Sequence, residues 1–215
     1  MINCCIFDLD GTLIDSLTDL GETVNQLLKD KNLTPYPIED YRMMVGDGVK
    51  MLLKRAFPQA DETELCQLKE MFDMIYRKNC FQNTQPYHGI PEVLDRLKKQ
   101  HVRLAVLSNK PDLFAKQICS RFFGNDLFFT VAGQREDFPK KPSPEGAEEI
   151  IRLCGCKKEQ VLFVGDSNVD IFTAKHAGIK SCGVLWGFRS KKELSAAGAD
   201  YLIAEPYELL ECLSI

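Results

Sequence analysis

Two aspartates, Asp8 and Asp10, stand two residues apart where the largely apolar stretch Ile2–Phe7 ends. In an extended chain that spacing turns both carboxylates to the same side. Three later stretches also follow apolar runs or close a loop with reactive side chains. Ser108-Asn109-Lys110 comes after Leu104–Leu107, Lys140-Lys141-Pro142 ends a loop, and Gly165-Asp166-Ser167-Asn168-Val169-Asp170 comes after Val161–Val164. Acids, a hydroxyl and lysines gathered in one place are costly to bury unpaired, so they require a shared partner. A divalent cation together with a phosphate ester satisfies all of them. Asp8, Asp10 and Asp166 are hard oxygen donors of the kind Mg²⁺ takes. Ser108 and backbone amides can donate to phosphate oxygens, and Lys141 can neutralise phosphate charge. Taken singly, each stretch also has a plain structural reading. The aspartates can cap turns, Ser108-Asn109 can begin a helix, the lysines can be a solvated loop, and Asp170 can complement a helix dipole.

These residues need a scaffold that brings four chain segments to one edge. Ile2–Phe7 reads as a strand. Between about 16 and 86 only helical periodicity is visible: Leu17, Leu20, Val24, Leu27 and Leu28; then Val49, Leu52, Leu53, Ala56 and Phe57; then Leu65, Leu68, Phe72 and Ile75. Ser16 with Asp19 fits the first helix start. From residue 91 onward strands and helices alternate, with strands expected at 103–107, 128–132, 160–164, 181–185 and 201–203. Helices are expected at 91–100, 112–122, 144–153, 169–177, 191–197 and 206–213. This alternation predicts an α/β fold: a Rossmann-like, mostly parallel sheet core with an inserted all-helical cap. The core is expected at 1–15 and 87–215 and the cap at 16–86, with joints near 14–17 and 85–89. Pro86 and Gly89 mark the second joint. Ligands of such sheets bind beyond the carboxyl ends of the strands, where the acids and lysines fall.

The stretches DLDGTLIDS, LSNK, KKPSPE and GDSNVD, in this order, resemble the four motifs of the haloacid dehalogenase superfamily. The resemblance covers essentially the whole chain, and the helical insertion resembles the superfamily's C1-type cap. It implies a Mg²⁺-dependent enzyme in which Asp8 is the nucleophile, forming an aspartyl-phosphate. Asp10 would be the acid–base, with its backbone carbonyl on the metal. Gly11, Thr12, Ser108, Asn109, Gly46, Asp47 and Gly48 would bind substrate, with Ser108 on the phosphate. Lys141, chosen over Lys140 because the family's lysine directly precedes proline, would bridge phosphate and Asp8. Asp166 would ligate the metal, and Asp170 would act behind it or through water. The second aspartate of the first motif favours phosphate-ester transfer over dehalogenation. Leu20 stands where related β-phosphoglucomutases carry a histidine, which favours water as the acceptor. The glycine-flanked Gly46-Asp47-Gly48, and the stretch 183–189 with 197–201, resemble phosphoglycolate phosphatase-like enzymes. The implied activity is hydrolysis of a small phosphate monoester, with 2-phosphoglycolate the best single candidate. Alternatives are an inorganic pyrophosphatase, a sugar-phosphate or nucleotide phosphatase, a β-phosphoglucomutase-type phosphomutase, and a non-catalytic phosphate-binding module.

Bulk properties set outer bounds. At 215 residues, with 45% hydrophobic and 27% charged residues, the chain can fill one core plus a smaller insertion. A net charge of −4 implies no general affinity for nucleic acid, and no apolar run is long enough to span a membrane. No secretory signal is visible. The nine cysteines lack framework spacing and read as small hydrophobes of a cytoplasmic protein. Cys4 and Cys5 should face opposite sides of their strand. The expected partner is a small phosphorylated metabolite, with the chain a monomer or homodimer. Trp186 and Phe188 read first as core packing, and His101 and His176 as surface residues; His88 has no assigned role. Arg42, Lys50 and Lys54 are cap cations that could meet a substrate carboxylate.

Overall fold

The computed structural model describes residues 1–136 and 138–213; Asp137, Ser214 and Ile215, which fall in the expected core segment, lie outside the described residues. Four consecutive buried residues form the first strand, β1 (Cys4–Phe7). The chain then makes a two-residue strand, β2 (Ile14–Asp15), and enters helices α1 (Leu17–Asp30), α2 (Val49–Ala56) and α3 (Glu62–Asn79), with a short 3-10 turn at Ile38–Met43. It returns through β3 (Gln85–Pro86), which pairs antiparallel with β2. The alternating part follows: α4 (Ile90–Lys99), β4 (Arg103–Pro111), α5 (Asp112–Phe123), β5 (Thr130–Gln134), α6 (Glu145–Cys154) and β6 (Val161–Gly165). It ends with α7 (Asn168–Ala177), β7 (Lys180–Val184), α8 (Lys191–Ala197), β8 (Tyr201–Ile203) and α9 (Glu208–Cys212).

The main sheet has six strands in the order β5-β4-β1-β6-β7-β8, and every pairing in it is parallel. β1 is central, so the loop carrying Asp8 and Asp10 emerges between the ends of β4 and β6. Side chains alternate across β1 as a strand requires. Cys5 and Phe7 join an apolar layer with Val93, Leu94 and Leu97 of α4 and Ile118 of α5. Cys4 and Ile6 join the opposite layer, with Ala147 and Ile150 of α6 and Ala174 of α7. Helices therefore cover both faces, which explains the near-continuous apolar runs of the central strands.

Helices α1 to α3 build a second lobe with its own apolar centre. Leu17, Leu20, Val24, Leu27 and Leu28 of α1 pack with Leu52, Leu53 and Ala56 of α2 and Leu65, Leu68 and Phe72 of α3. The core contributes Phe114 and Phe188 to this cluster, so the lobe rests on the sheet's carboxyl edge.

Four details differ from expectation. β4 does not stop at Leu107 but continues through Pro111, carrying Ser108, Asn109 and Lys110 as buried residues that find polar partners. β5 begins at Thr130, two residues late, because Phe128 inserts into the core ahead of it and packs edge-on against Phe123. On α3 the buried stripe passes through Tyr76, while Ile75 is only partly buried. Ser16 occupies the helix-start position of α1 without capping it; its hydroxyl donates to Asp10 instead.

Candidate active site

β1 delivers Asp8 directly, and its amide donates to the Val164 carbonyl of β6 at 2.9 Å. β6 delivers Asp166, and the start of α7 delivers Asp170. Carboxylate oxygens of Asp8, Asp166 and Asp170 all lie within 4.8 Å of one another, and all three residues are buried. Lys141 reaches in from the loop before α6: its Nζ donates to Asp8 Oδ1 at 2.9 Å and to Asp170 Oδ1 at 2.7 Å. The other oxygen of Asp170 accepts from the Ser167 amide and hydroxyl, at 3.0 and 2.7 Å. Asp166 Oδ2 accepts from the Phe188 amide at 2.7 Å.

Three carboxylates face one ammonium, so negative charge is in excess. Burial pushes the Asp8 carboxyl up to about 6; Lys141 opposes this, while Asp170 adds to it. Burial, then Asp170 and Asp8, hold Asp166 well above the usual carboxylate range. Burial alone would lower Lys141, but Asp170 and Asp8 reverse that and keep it above its ordinary value.

The donor set is all oxygen and crowded with negative charge, which fits a hard divalent cation of the Mg²⁺ type. Local backbone keeps the approach open. Gly11 has φ +84, and a Cβ there would lie 2.4 Å from Asp166 Oδ2. A Cβ on Gly187 would lie 2.3 Å from Asp166 Cβ. Both positions need glycine for the acid to sit where it does.

Asp10 turns away from this cluster. Its Oδ1 accepts from the Ser16 hydroxyl at 2.5 Å and from Lys110 Nζ at 2.9 Å, and its Oδ2 accepts from the same Nζ at 3.2 Å. Lys110 also donates to the Tyr76 hydroxyl at 2.7 Å. A chamber with about 30 Å³ of free space lies between the lobes, with Asp8, Asp10, Ser108, Asn109 and Lys110 on its floor. Leu20, Val45, Val49, Leu52 and Phe72 make an apolar roof, and Gly46 and Gly48 form a rim.

The remaining expected site residues fall in varied places. Ser108 lines the chamber, its hydroxyl accepting from the Lys110 amide at 3.3 Å. Asn109 ties loops together: Nδ2 donates to the carbonyls of Gly46 and Lys141, and Oδ1 accepts from the Lys141 amide. The Gly11 and Thr12 amides donate to the carbonyls of Ile14 and Leu9, closing their own turn rather than opening toward a ligand. The Thr12 hydroxyl donates to Asp166 at 3.4 Å. Asp47 pairs with Arg55, and its carbonyl accepts from Lys140, so it lies outside the chamber lining.

Arg42 bonds Glu39 and the Gly187 carbonyl, Lys50 pairs with Glu62, and Lys54 is exposed; none of the three lines the chamber. His88, His101 and His176 are exposed. Phe188 is buried and Trp186 packs on the core, its indole donating to the Thr12 carbonyl at 3.0 Å. Sequence reasoning gave no role to Lys110 or Tyr76. Their only signals were the two-residue spacing from Ser108 and a tyrosine one position past an apolar stripe.

A family model described as haloacid dehalogenase-like hydrolase matches residues 5–184. The chain belongs to that family. It is 31% identical over 212 residues to a phosphoglycolate phosphatase of Aquifex aeolicus (strain VF5), covering 97% of this chain and 95% of the relative. It is 33% identical over 215 residues to a phosphoglycolate phosphatase of Haemophilus influenzae (strain 86-028NP), covering 96% of each. A solved structure of a predicted phosphoglycolate phosphatase from Haemophilus somnus 129pt superposes with a TM-score of 0.92 at 30% identity, covering 98% of this chain and 97% of that one. As a member of the haloacid dehalogenase-like family with such relatives, the chain is an enzyme, a phosphoric monoester hydrolase. Its six-stranded parallel sheet is the fold of these neighbours. Among the described residues, no helix is long and apolar enough to cross a membrane.

Proposed function

We propose that this chain is a Mg²⁺-dependent, cytoplasmic phosphatase of small phosphate monoesters, 2-phosphoglycolate foremost, acting through an aspartyl-phosphate on Asp8. The observation that carries this reading is the cluster of Asp8, Asp166 and Asp170, with the Lys141 ammonium on Asp8 and Asp170 and with Asp10 turned away from them in the chamber lining. Residues 1–15 and 87–215 are the catalytic core and 16–86 the cap.

Asp8 Oδ attacks phosphorus and the bond to the ester oxygen breaks. Asp10, in its protonated form, gives its proton to that oxygen, so a neutral alcohol leaves. Asp10 then takes a proton from water as the water oxygen attacks phosphorus, which releases inorganic phosphate and frees Asp8. Lys141 and Ser108 hold phosphate oxygens and offset repulsion between the dianion and the Asp8 carboxylate. Asp8, Asp166 and the Asp10 carbonyl would hold the Mg²⁺, with Asp170 acting behind them or through water, and the ion would supply Lewis-acid neutralisation of phosphate charge.

Substrate size is argued from the chamber. Its free space is that of roughly two waters, so the lobes must part to admit a phosphate ester, and a small one asks least of that opening. An apolar roof offers nothing to the hydroxyls of a sugar or nucleoside. The N-terminus of α2 has no side-chain cap and lies at the chamber rim with Gly46, Gly48 and Val49, which suits an anionic leaving group such as glycolate. The mutase alternative needs a proton carrier near Leu20, and that wall is apolar. The test is phosphate release with Mg²⁺ on 2-phosphoglycolate, pyrophosphate, hexose phosphates and nucleotides. A dominant kcat/KM on 2-phosphoglycolate is expected. Flat activity across the panel withdraws the substrate, and no release from folded, metal-loaded protein withdraws the mechanism.

A further inference from the structure

Lys110 is a buried cation whose surroundings account for its position. Its ammonium has three donors, and three oxygens receive them: both carboxylate oxygens of Asp10 and the hydroxyl of Tyr76. The side chain is 2% exposed, so these bonds work in a dry setting where a charged pair fixes geometry strongly. The Asp10 carboxylate has one other polar side-chain partner among the described residues, the Ser16 hydroxyl on Oδ1. Lys110 is therefore the side chain that holds Oδ2.

Lys110 belongs to β4 of the core, whereas Tyr76 belongs to α3 of the cap. Tyr76 is itself tightly seated. Its ring stacks on Phe72 at 5.2 Å between centroids and meets Phe114 of the core edge-on at 5.1 Å. The Lys110 ammonium lies 4.7 Å from the centroid of the same ring. Displacing α3 withdraws both the hydroxyl and the ring face from Lys110, and with them the bonding pattern that sets the plane of the Asp10 carboxylate.

We propose that Lys110 and Tyr76 are positioning residues: they aim the Asp10 carboxyl at the leaving oxygen and make that aim depend on the cap being closed. The inference rests on the reading of Asp10 as the acid–base. It separates recognition of phosphate, done by Lys141 and Ser108, from proton delivery, which the cap licenses through Tyr76.

Leaving-group dependence tests it, because a merely structural loss lowers activity on every substrate alike. Acetyl phosphate and 2-phosphoglycolate are similar in size, but acetate departs without needing a proton and the glycolate alkoxide does not. kcat/KM for both is measured in wild type, Asp10→Asn, Lys110→Met and Tyr76→Phe, with another alkyl monoester replacing 2-phosphoglycolate if the substrate panel ranks it first. Asp10→Asn is expected to lose about 10³-fold on the alkyl ester and far less on acetyl phosphate. Lys110→Met should show the same selectivity at roughly 10²-fold, and Tyr76→Phe at roughly tenfold. Tyr76→Phe keeps the packed ring, so it reports even if Lys110→Met fails to fold. If Asp10→Asn discriminates between the substrates but Tyr76→Phe and any folded Lys110→Met do not, the inference is overturned while the acid–base reading stands. If Asp10→Asn itself does not discriminate, both fall.

Discussion

At the Asp8 carboxylate, burial and charge pull in opposite directions. Burial and Asp170 favour the protonated acid, while Lys141 favours the ion. The balance leaves its folded value near 6, above the roughly 3.9 of an unfolded aspartate. Between those values the folded protein holds more protons than the unfolded chain, so metal-free stability should fall as pH rises from about 4 to 6. Denaturant midpoints in chelator across that range check the sign; a midpoint that rises with pH would contradict it. For the same reason Asp8→Asn should abolish at least roughly 10³-fold of activity without loss of fold, and should melt no lower than wild type without metal. Phosphate release and thermal unfolding on one preparation decide it. At this scale the sequence is most readable where a motif is local: Asp8, Asp10, Lys141, Asp166 and Asp170 each stand in a short motif, and their side chains come together at one edge, whatever role each has. Lys110 stands in the same stretch as Ser108, yet its neighbours in sequence imply no role for it. Its meaning depends on Tyr76, 34 residues away, and no local pattern carries that pairing.

Among the elements, α1 shows how a local reading can be correct in type and wrong in partner. Asp19 looked like the acid of a helix start beside Ser16. It is instead a buried acceptor for the returning chain: the amides of Asn83 and Thr84, the Asn83 amide side chain and the Thr84 hydroxyl all donate to it, at 2.7 to 3.1 Å. Asp19→Ala leaves the Thr84 amide and hydroxyl buried without an acceptor, while exposed Asn83 can turn to water, and should cost on the order of 2–4 kcal/mol. For a chain of this size that is a fall of about 10 °C in Tm, measured by thermal unfolding, and a change under about 2 °C would refute the staple. Strands were legible as apolar runs, but their ends were not. β4 outlasts its apolar run because Asn109 and Lys110 find polar partners in other segments, information absent from the run itself.

For the whole molecule, the excess of carboxylate at the sheet edge makes cation binding a stability term. A ligand that binds only the folded state adds about 2.7 kcal/mol at a hundredfold excess over its Kd. Saturating Mg²⁺ should therefore raise Tm by roughly 5–10 °C, and EDTA should reverse it. An unchanged melt would mean the cluster does not hold the ion. Across the interface, Arg189 donates to the carbonyls of Arg42 and Val45, and Arg42 donates to that of Gly187, so backbone of each lobe is held by a guanidinium of the other. The route between the lobes is narrower still. The chain leaves the core at Ile14–Asp15 and comes back at Gln85–Pro86, and these pairs are hydrogen-bonded neighbours. A segment whose two ends share one such ribbon can be exchanged like a cassette. A graft of different length or roof chemistry has to reproduce the ribbon and the hydroxyl that Tyr76 offers Lys110, while the sheet and its carboxylates keep their registration. Selectivity can therefore drift by trading lids, provided that each lid returns a hydroxyl to Lys110 where Tyr76 now stands.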